Sequence, residues 1–195
     1  EDIMDFPSTG FVRTNVRRKL VDLRDIVKSE LNSAEELAKK NNLALRWKFA
    51  SDSASLWGDE KKLLRMTSNI ISNAIKYTPN GNIINFTVLS DADTVQFSIG
   101  NKGPGFLPDN IGTIFEKGQA PASYSGITDT AVELSVVRDI VELHNGHISL
   151  DSKPDKGMEF KIVLPRDLRT KSGMQDLMRK ASKGMPLAAD GAISM

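Results

Sequence analysis

Apolar residues recur along this chain with two different periods. Leu20, Leu23, Ile26, Val27, Leu31, Leu37 and Ala38 keep the three-and-four spacing of a helix face, and Asn41-Asn42 predicts its end. Leu43, Leu45, Trp47 and Phe49 alternate with Ala44, Arg46 and Lys48, which predicts a half-buried strand. Gly58-Asp59 introduces a second helix with Asp59 as N-cap, along which Leu63, Met66, Ile70 and Ala74 line up. After a Pro79-Asn80-Gly81 turn, a strand over 83–89 and the alternating Val95, Phe97 and Ile99 flank Asp91-Ala92-Asp93 and read as a hairpin. Residues 101–128 show no period. A third helix carries Val132, Val136, Val137, Ile140, Val141 and His144 on one face and closes at Asn145-Gly146. Strands follow at 147–151 and 158–164 across a Pro154–Gly157 turn, with Met158, Phe160, Ile162 and Leu164 alternating.

Helices and strands are mixed without a regular β-α-β-α rhythm. The fold class is therefore α+β: a two-layer α/β sandwich, with helices on one face of a mixed, largely antiparallel sheet. There is no internal repeat. At the ends, Ile3, Met4 and Phe6 suggest a helix stub that Pro7–Gly10 terminates. Residues 168–185 set Leu168, Met174, Leu177, Met178 and Ala181 loosely among Arg169, Lys171, Arg179, Lys180 and Lys183. That stretch reads either as a frayed tail or as a basic helix that docks on a partner.

Composition narrows the function classes without changing the fold. The 195 residues suffice for one domain with appendages, and 39% hydrophobic with 26% charged residues is ordinary for a globular protein. A net charge of +1 gives no field for a nucleic-acid or membrane surface. Without cysteine there are no disulfides, Cys-ligated zinc or thiol catalysis. No apolar run approaches a membrane span, and Glu1-Asp2-Ile3 lacks signal-peptide character; the abrupt start reads as a fragment of a longer protein.

The chemistry concentrates in Asn69–Thr78. On a helix Asn69, Asn73, Lys76 and Tyr77 stack on one face, while Ile70, Ile71, Ala74 and Ile75 turn towards a core. Asn is a poor helix residue because its amide competes for backbone hydrogen bonds. Two of them one turn apart read either as a solvated polar face or as a ligand site.

The order of asparagine helix, Gly-rich turn after a hairpin, Phe-bearing loop and helix ending in His-x-Gly resembles the ATP-binding module of sensor histidine kinases, of the Bergerat-fold ATPase superfamily. The resemblance covers about residues 15–165, with 1–14 as the end of a dimerisation hairpin and 166–195 as a C-terminal tail. It implies that Asn69–Thr78 is the N box, with Asn73 ligating Mg²⁺, Lys76 meeting phosphate and Tyr77 closing over the nucleotide. Asn101-Lys-Gly103-Pro-Gly105-Phe106 resembles the G1 box, Ile114-Phe115-Glu116 the F box, and 117–128 the ATP lid. Residues 129–134 stand where the glycines of the G2 box belong.

Two departures bear on the chemistry. The G1 carboxylate that accepts from the adenine amine is Asn101 here, so that bond loses its charge assistance. At the G2 glycine positions stand Asp129, Ala131 and Glu133. A carboxylate about 4 Å from a phosphate oxygen costs roughly 4 kcal/mol at an effective dielectric near 20. Thr130-Ala-Val-Glu133 also has the form of a capping box, in which Glu133 would occupy the donors that a phosphate needs.

The expected function is a module of a two-component sensor kinase that is degenerate, pseudokinase-like and impaired in ATP binding. The alternative is an active ATP- and Mg²⁺-dependent protein-histidine kinase domain. Implied partners are a histidine-containing dimerisation domain, a response regulator or another kinase, with a homodimer for the full-length protein, no nucleic acid and no membrane contact. The implied location is cytoplasmic. His144 and His147 lie in no phosphoacceptor motif and read as structural.

Overall fold

The computed structural model describes residues 17–102, 128–153 and 157–167. Their order is β1 (Lys19–Asp22), α1 (Leu23–Lys40), β2 (Ala44–Phe49), β3 (Ser55–Gly58), α2 (Glu60–Tyr77), β4 (Ile83–Ser90), β5 (Thr94–Asn101), α3 (Thr128–Leu143), β6 (His147–Lys153) and β7 (Gly157–Pro165). Five strands form one sheet in the order β2-β4-β5-β7-β6. The β2–β4 pair is parallel and the other neighbours are antiparallel. A parallel pair needs a crossover, and the chain from β3 through α2 supplies it.

Strand alternation sorts the sheet into two faces. Ile84, Phe86 and Val88 of β4, Val95, Phe97 and Ile99 of β5, and Phe160, Ile162 and Leu164 of β7 are buried in one core. The three helices cover that face, with α2 packed between α1 and α3. They contribute Ile26, Val27 and Leu31, then Leu63, Met66 and Ile70, then Val137, Ile140 and Val141. The two-layer α+β sandwich expected from the sequence is the fold observed. No described helix is long and apolar enough to cross a membrane.

The helix ends follow local chemistry. Asp59 caps α2 by accepting from the Lys62 amide at 3.2 Å. Asn42 ends α1 in the left-handed region (φ 51°), and the Leu43 and Asn42 amides close onto Ala38 and Lys39 carbonyls. Asn145 (φ 54°) does the same for α3, so the asparagine supplies the left-handed residue there. Gly146 meets a different need: a Cβ on it would lie 2.7 Å from the Val163 carbonyl oxygen and 2.6 Å from Leu164.

Three expectations need correction. Leu20 belongs to β1, not to the first helix, because Asp22 caps α1 by accepting from the Arg24 amide at 2.9 Å. β1 pairs antiparallel with β3, and that two-stranded sheet was not foreseen. Leu37 and Trp47, read as inward, are 47% and 48% exposed. Trp47 lies on β2, an edge strand with a neighbour on one side only. The stub at 1–6, the turn at 154–156 and the tail from 168 lie outside the described residues.

Candidate functional site: an asparagine wall between helix α2 and strand β5

The α2 residues singled out in the sequence do not share one environment. Asn73 is buried at 3% exposure, Asn69 and Tyr77 are half-buried, and Lys76 is exposed. Position 76 is three residues beyond 73, about 60° further round the helix, and this carries Lys76 to the rim. Its Nζ lies 5.4 Å from the centre of the Tyr77 ring, within reach of a cation–π contact. Thr78 ends the helix by donating its hydroxyl to the Ala74 carbonyl at 2.6 Å.

Neither Oδ1 nor Nδ2 of Asn73 has a hydrogen-bond partner, although both are enclosed. An unmet buried amide costs about 1–3 kcal/mol, so it calls for an explanation. Asn101 repeats the feature on the facing layer. It is the last residue of β5, 7% exposed, with both amide atoms enclosed and unpartnered. Its register partners are Ile84 and Met158, both buried. α2 packs against β5, so both asparagines stand on elements that meet across the core.

Sequence reasoning missed two features of these elements. Gly157 has φ +97°, and a Cβ on it would stand 2.1 Å from the Asn101 carbonyl oxygen. Glycine there lets β7 approach the end of β5. Nothing in the sequence beyond a turn-like Pro-Asp-Lys-Gly marks that contact. Thr67 is fully buried on α2 with an unpartnered hydroxyl, and a lone Thr in an apolar stripe gives no signal.

His144 is structural in its local contacts. Its Nδ1–H donates to the Ile140 carbonyl at 2.7 Å, and Nε2 accepts from the Asp59 amide at 3.0 Å. These partners assign the neutral ring with the proton on Nδ1. Burial pushes its pKa below the ordinary histidine value, with the Arg18 charge adding to the effect and the bond to Ile140 and the Asp59 charge opposing it. The end of α3 is thereby bolted to the start of α2.

The opposite wall differs from the expectation. α3 begins at Thr128, so Asp129, Ala131 and Glu133 have helical backbone. Thr130 is the third residue of the helix instead of the residue before it, where the sequence pattern places the N-cap. With no glycine from 128 to 133, nothing interrupts the helix there. Amides from Val132 onward belong to the helix ladder. Gly103, Gly105 and Phe115 lie outside the described residues.

The two walls differ in their fit to a magnesium nucleotide. On the α2–β5 side, Asn73 Oδ1 is a neutral oxygen of the kind hard cations take, and the Asn101 amide offers a base edge both donor and acceptor. On the α3 side the backbone from 128 onward is helical, without the glycines expected of a phosphate-binding turn. Among the described residues no group of three or more His, Cys, Asp or Glu could hold a metal ion. A groove of about 360 Å³ lies largely on the open face of the sheet, beside Asn85, Thr87, Ser98 and Glu159. Asn101, Gly157 and Met158 also line it, so it reaches the end of β5.

A mixed five-stranded sheet under three helices, with unmet asparagines on the central helix and the end of β5, defines a Bergerat-type ATPase sandwich. The chain belongs to the family of histidine kinase-, DNA gyrase B-, and HSP90-like ATPases, whose signature it matches over residues 58–168. Domains of this family bind ATP, usually with Mg²⁺. The adaptive-response sensory kinase SasA of Synechococcus sp. (strain CC9311) is 30% identical over 167 residues, 85% of this chain and 43% of that relative. The chain thus spans less than half the length of that kinase. Among solved structures, full-length ShkA in complex with AMPPNP matches with a TM-score of 0.68 at 22% identity, over 78% of this chain and 32% of that one. Histidine kinase ThkA in complex with the response regulator TrrA matches at 0.67 and 17% identity, over 80% of this chain and 44% of that one.

Proposed function

We propose that this chain is the ATPase-type module of a two-component sensor kinase whose triphosphate site is degenerate, so that it regulates or docks a partner instead of supplying a phosphoryl group. One observation carries the reading: α3 starts at Thr128, turning the segment that would cradle phosphate into helix bearing Asp129 and Glu133. A phosphate there meets like charge and finds the amides from Val132 onward engaged. The module is residues 15–165, with 1–14 linking it to a dimerisation hairpin and 166–195 as an appendage. Its partners are that hairpin in a cytoplasmic homodimer, a response regulator or another kinase.

Titration calorimetry with Mg²⁺–ATP tests this directly. The expected result is no saturable heat, or binding weaker than ~100 μM, an affinity of roughly −5.5 kcal/mol. Tighter binding would sink the degenerate reading.

The buried, unpartnered Asn73 amide favours a second reading, an active protein-histidine kinase in which Asn73 Oδ1 holds Mg²⁺. That reading requires transfer of the γ-phosphoryl group of ATP to a histidine of a supplied dimerisation domain. Acid-labile phosphate on that histidine, lost with Asn73→Ala, is its signature.

A further inference from the structure

Asn101 holds more hydrogen-bonding capacity than its surroundings use. Its amide has two N–H donors and an oxygen with two lone pairs. Both atoms are enclosed and unpartnered. The residues beside it in register, Ile84 and Met158, offer apolar side chains. A buried amide among apolar neighbours is costly unless a ligand completes it.

The distinctive property of an amide is that donor and acceptor sit side by side and exchange places by a half-turn. The six-edge of a purine comes in two forms. Adenine presents an amine at C6 and a bare N1; hypoxanthine and guanine present a carbonyl at C6 and N1–H. In one orientation Oδ1 accepts from the amine while Nδ2 donates to N1. In the other, Nδ2 donates to the C6 oxygen while Oδ1 accepts from N1–H. A carboxylate in the same place can serve the amine, but it repels the carbonyl oxygen.

We propose that Asn101 makes the buried end of this site a purine reader that accepts 6-oxo and 6-amino bases alike. The inference rests on the reading of this wall as a nucleotide site, and it concerns the base end, away from the phosphate question. Nucleosides therefore probe it best.

The test is an NMR titration of the 195-residue chain with adenosine, inosine and purine riboside, which has no substituent at C6. Adenosine and inosine are expected to bind within about threefold of each other, and purine riboside about fivefold or more weaker, the loss of one hydrogen bond. Asn101→Asp is expected to keep adenosine binding within about threefold and to weaken inosine by about tenfold or more. Binding of adenosine with no binding of inosine overturns the proposal, as does equal weakening of both by a folded Asn101→Asp variant. If that variant does not fold, the wild-type comparison of the three nucleosides decides. Absence of all nucleoside binding also overturns the proposal but leaves the impaired-triphosphate reading standing. Tight Mg²⁺–ATP binding with equal adenosine and inosine affinities does the reverse.

Discussion

Burial of the His144 ring, with Nδ1–H given to Ile140 and Nε2 filled by the Asp59 amide, ties protonation to folding. Its pKa is lowered from 6.5 in the fold, so the unfolded chain binds the extra proton first. The histidine thus contributes stability that is fully present above pH 6.5 and is lost as pH falls through the folded-state value. One such proton gives at most about 1.4 kcal/mol per pH unit. Urea midpoints followed by circular dichroism should fall between about pH 7 and 5, and His144→Gln should flatten that slope. An unchanged slope in the variant would assign the acid sensitivity elsewhere. Gly157→Ala tests the contact beneath Asn101. Its φ of +97° and the 2.1 Å approach to the Asn101 carbonyl both oppose a side chain, and a loss of about 2–4 kcal/mol is expected from urea denaturation. Asn73 stood out in the sequence because two asparagines, poor helix residues, lie one turn apart on one face. Asn101 was readable only through the resemblance, since one polar residue at a strand end is common. The need for glycine at 157 was invisible because it arises where two strands meet.

Among the elements, half-buried strands announced themselves and short ones did not. β4, β5 and β7 alternate over eight or nine residues, enough for a period of two to stand out. β1 and β3 have four residues each and exist through pairing with one another, a contact between positions some 36 apart that no local pattern encodes. Leu20 fell into helical register with Leu23 and Val27 by spacing alone, and Asp22 set the true start. α3 makes the opposite point: its core face was legible, but its start was placed too late. The triple change Asp129→Gly, Ala131→Gly, Glu133→Gly should unravel that first part of the helix and admit phosphate. It should raise Mg²⁺–ATP affinity by about a hundredfold or more, while costing roughly 2–3 kcal/mol in stability. If calorimetry finds the variant as silent as the parent, residues 129–133 are not the obstacle.

At the scale of the molecule, Arg166, just past the end of β7, links the two sheets. Arg166 donates its amide to Asp93, accepts from the Trp57 amide at 3.0 Å, and sends its guanidinium to the Ser55 and Asp91 carbonyls at 2.9 and 3.1 Å. Arg166→Ala removes the two side-chain bonds and leaves the backbone ones. A loss of about 1–2 kcal/mol is expected, discounted for partial exposure, with faster hydrogen exchange confined to β1 and β3. The layered architecture was legible as a whole because it depends on the order of periods along the chain. The junction was not, since Arg166 follows the last alternating residue and looks like the start of a tail.

The exposure of Trp47 and Trp57, 48% and 44%, has an optical consequence. The chain has no other tryptophan, and both indoles already meet water in the folded state. Intrinsic emission will therefore be red-shifted at the outset and will change little on denaturation, while a quencher such as acrylamide will reach both rings. The same property turns them into natural reporters. Trp57 sits on the β1–β3 ribbon and Trp47 on the outer strand of the main sheet, so a blue shift traced by single Trp→Phe replacement would identify which of the two surfaces a partner covers.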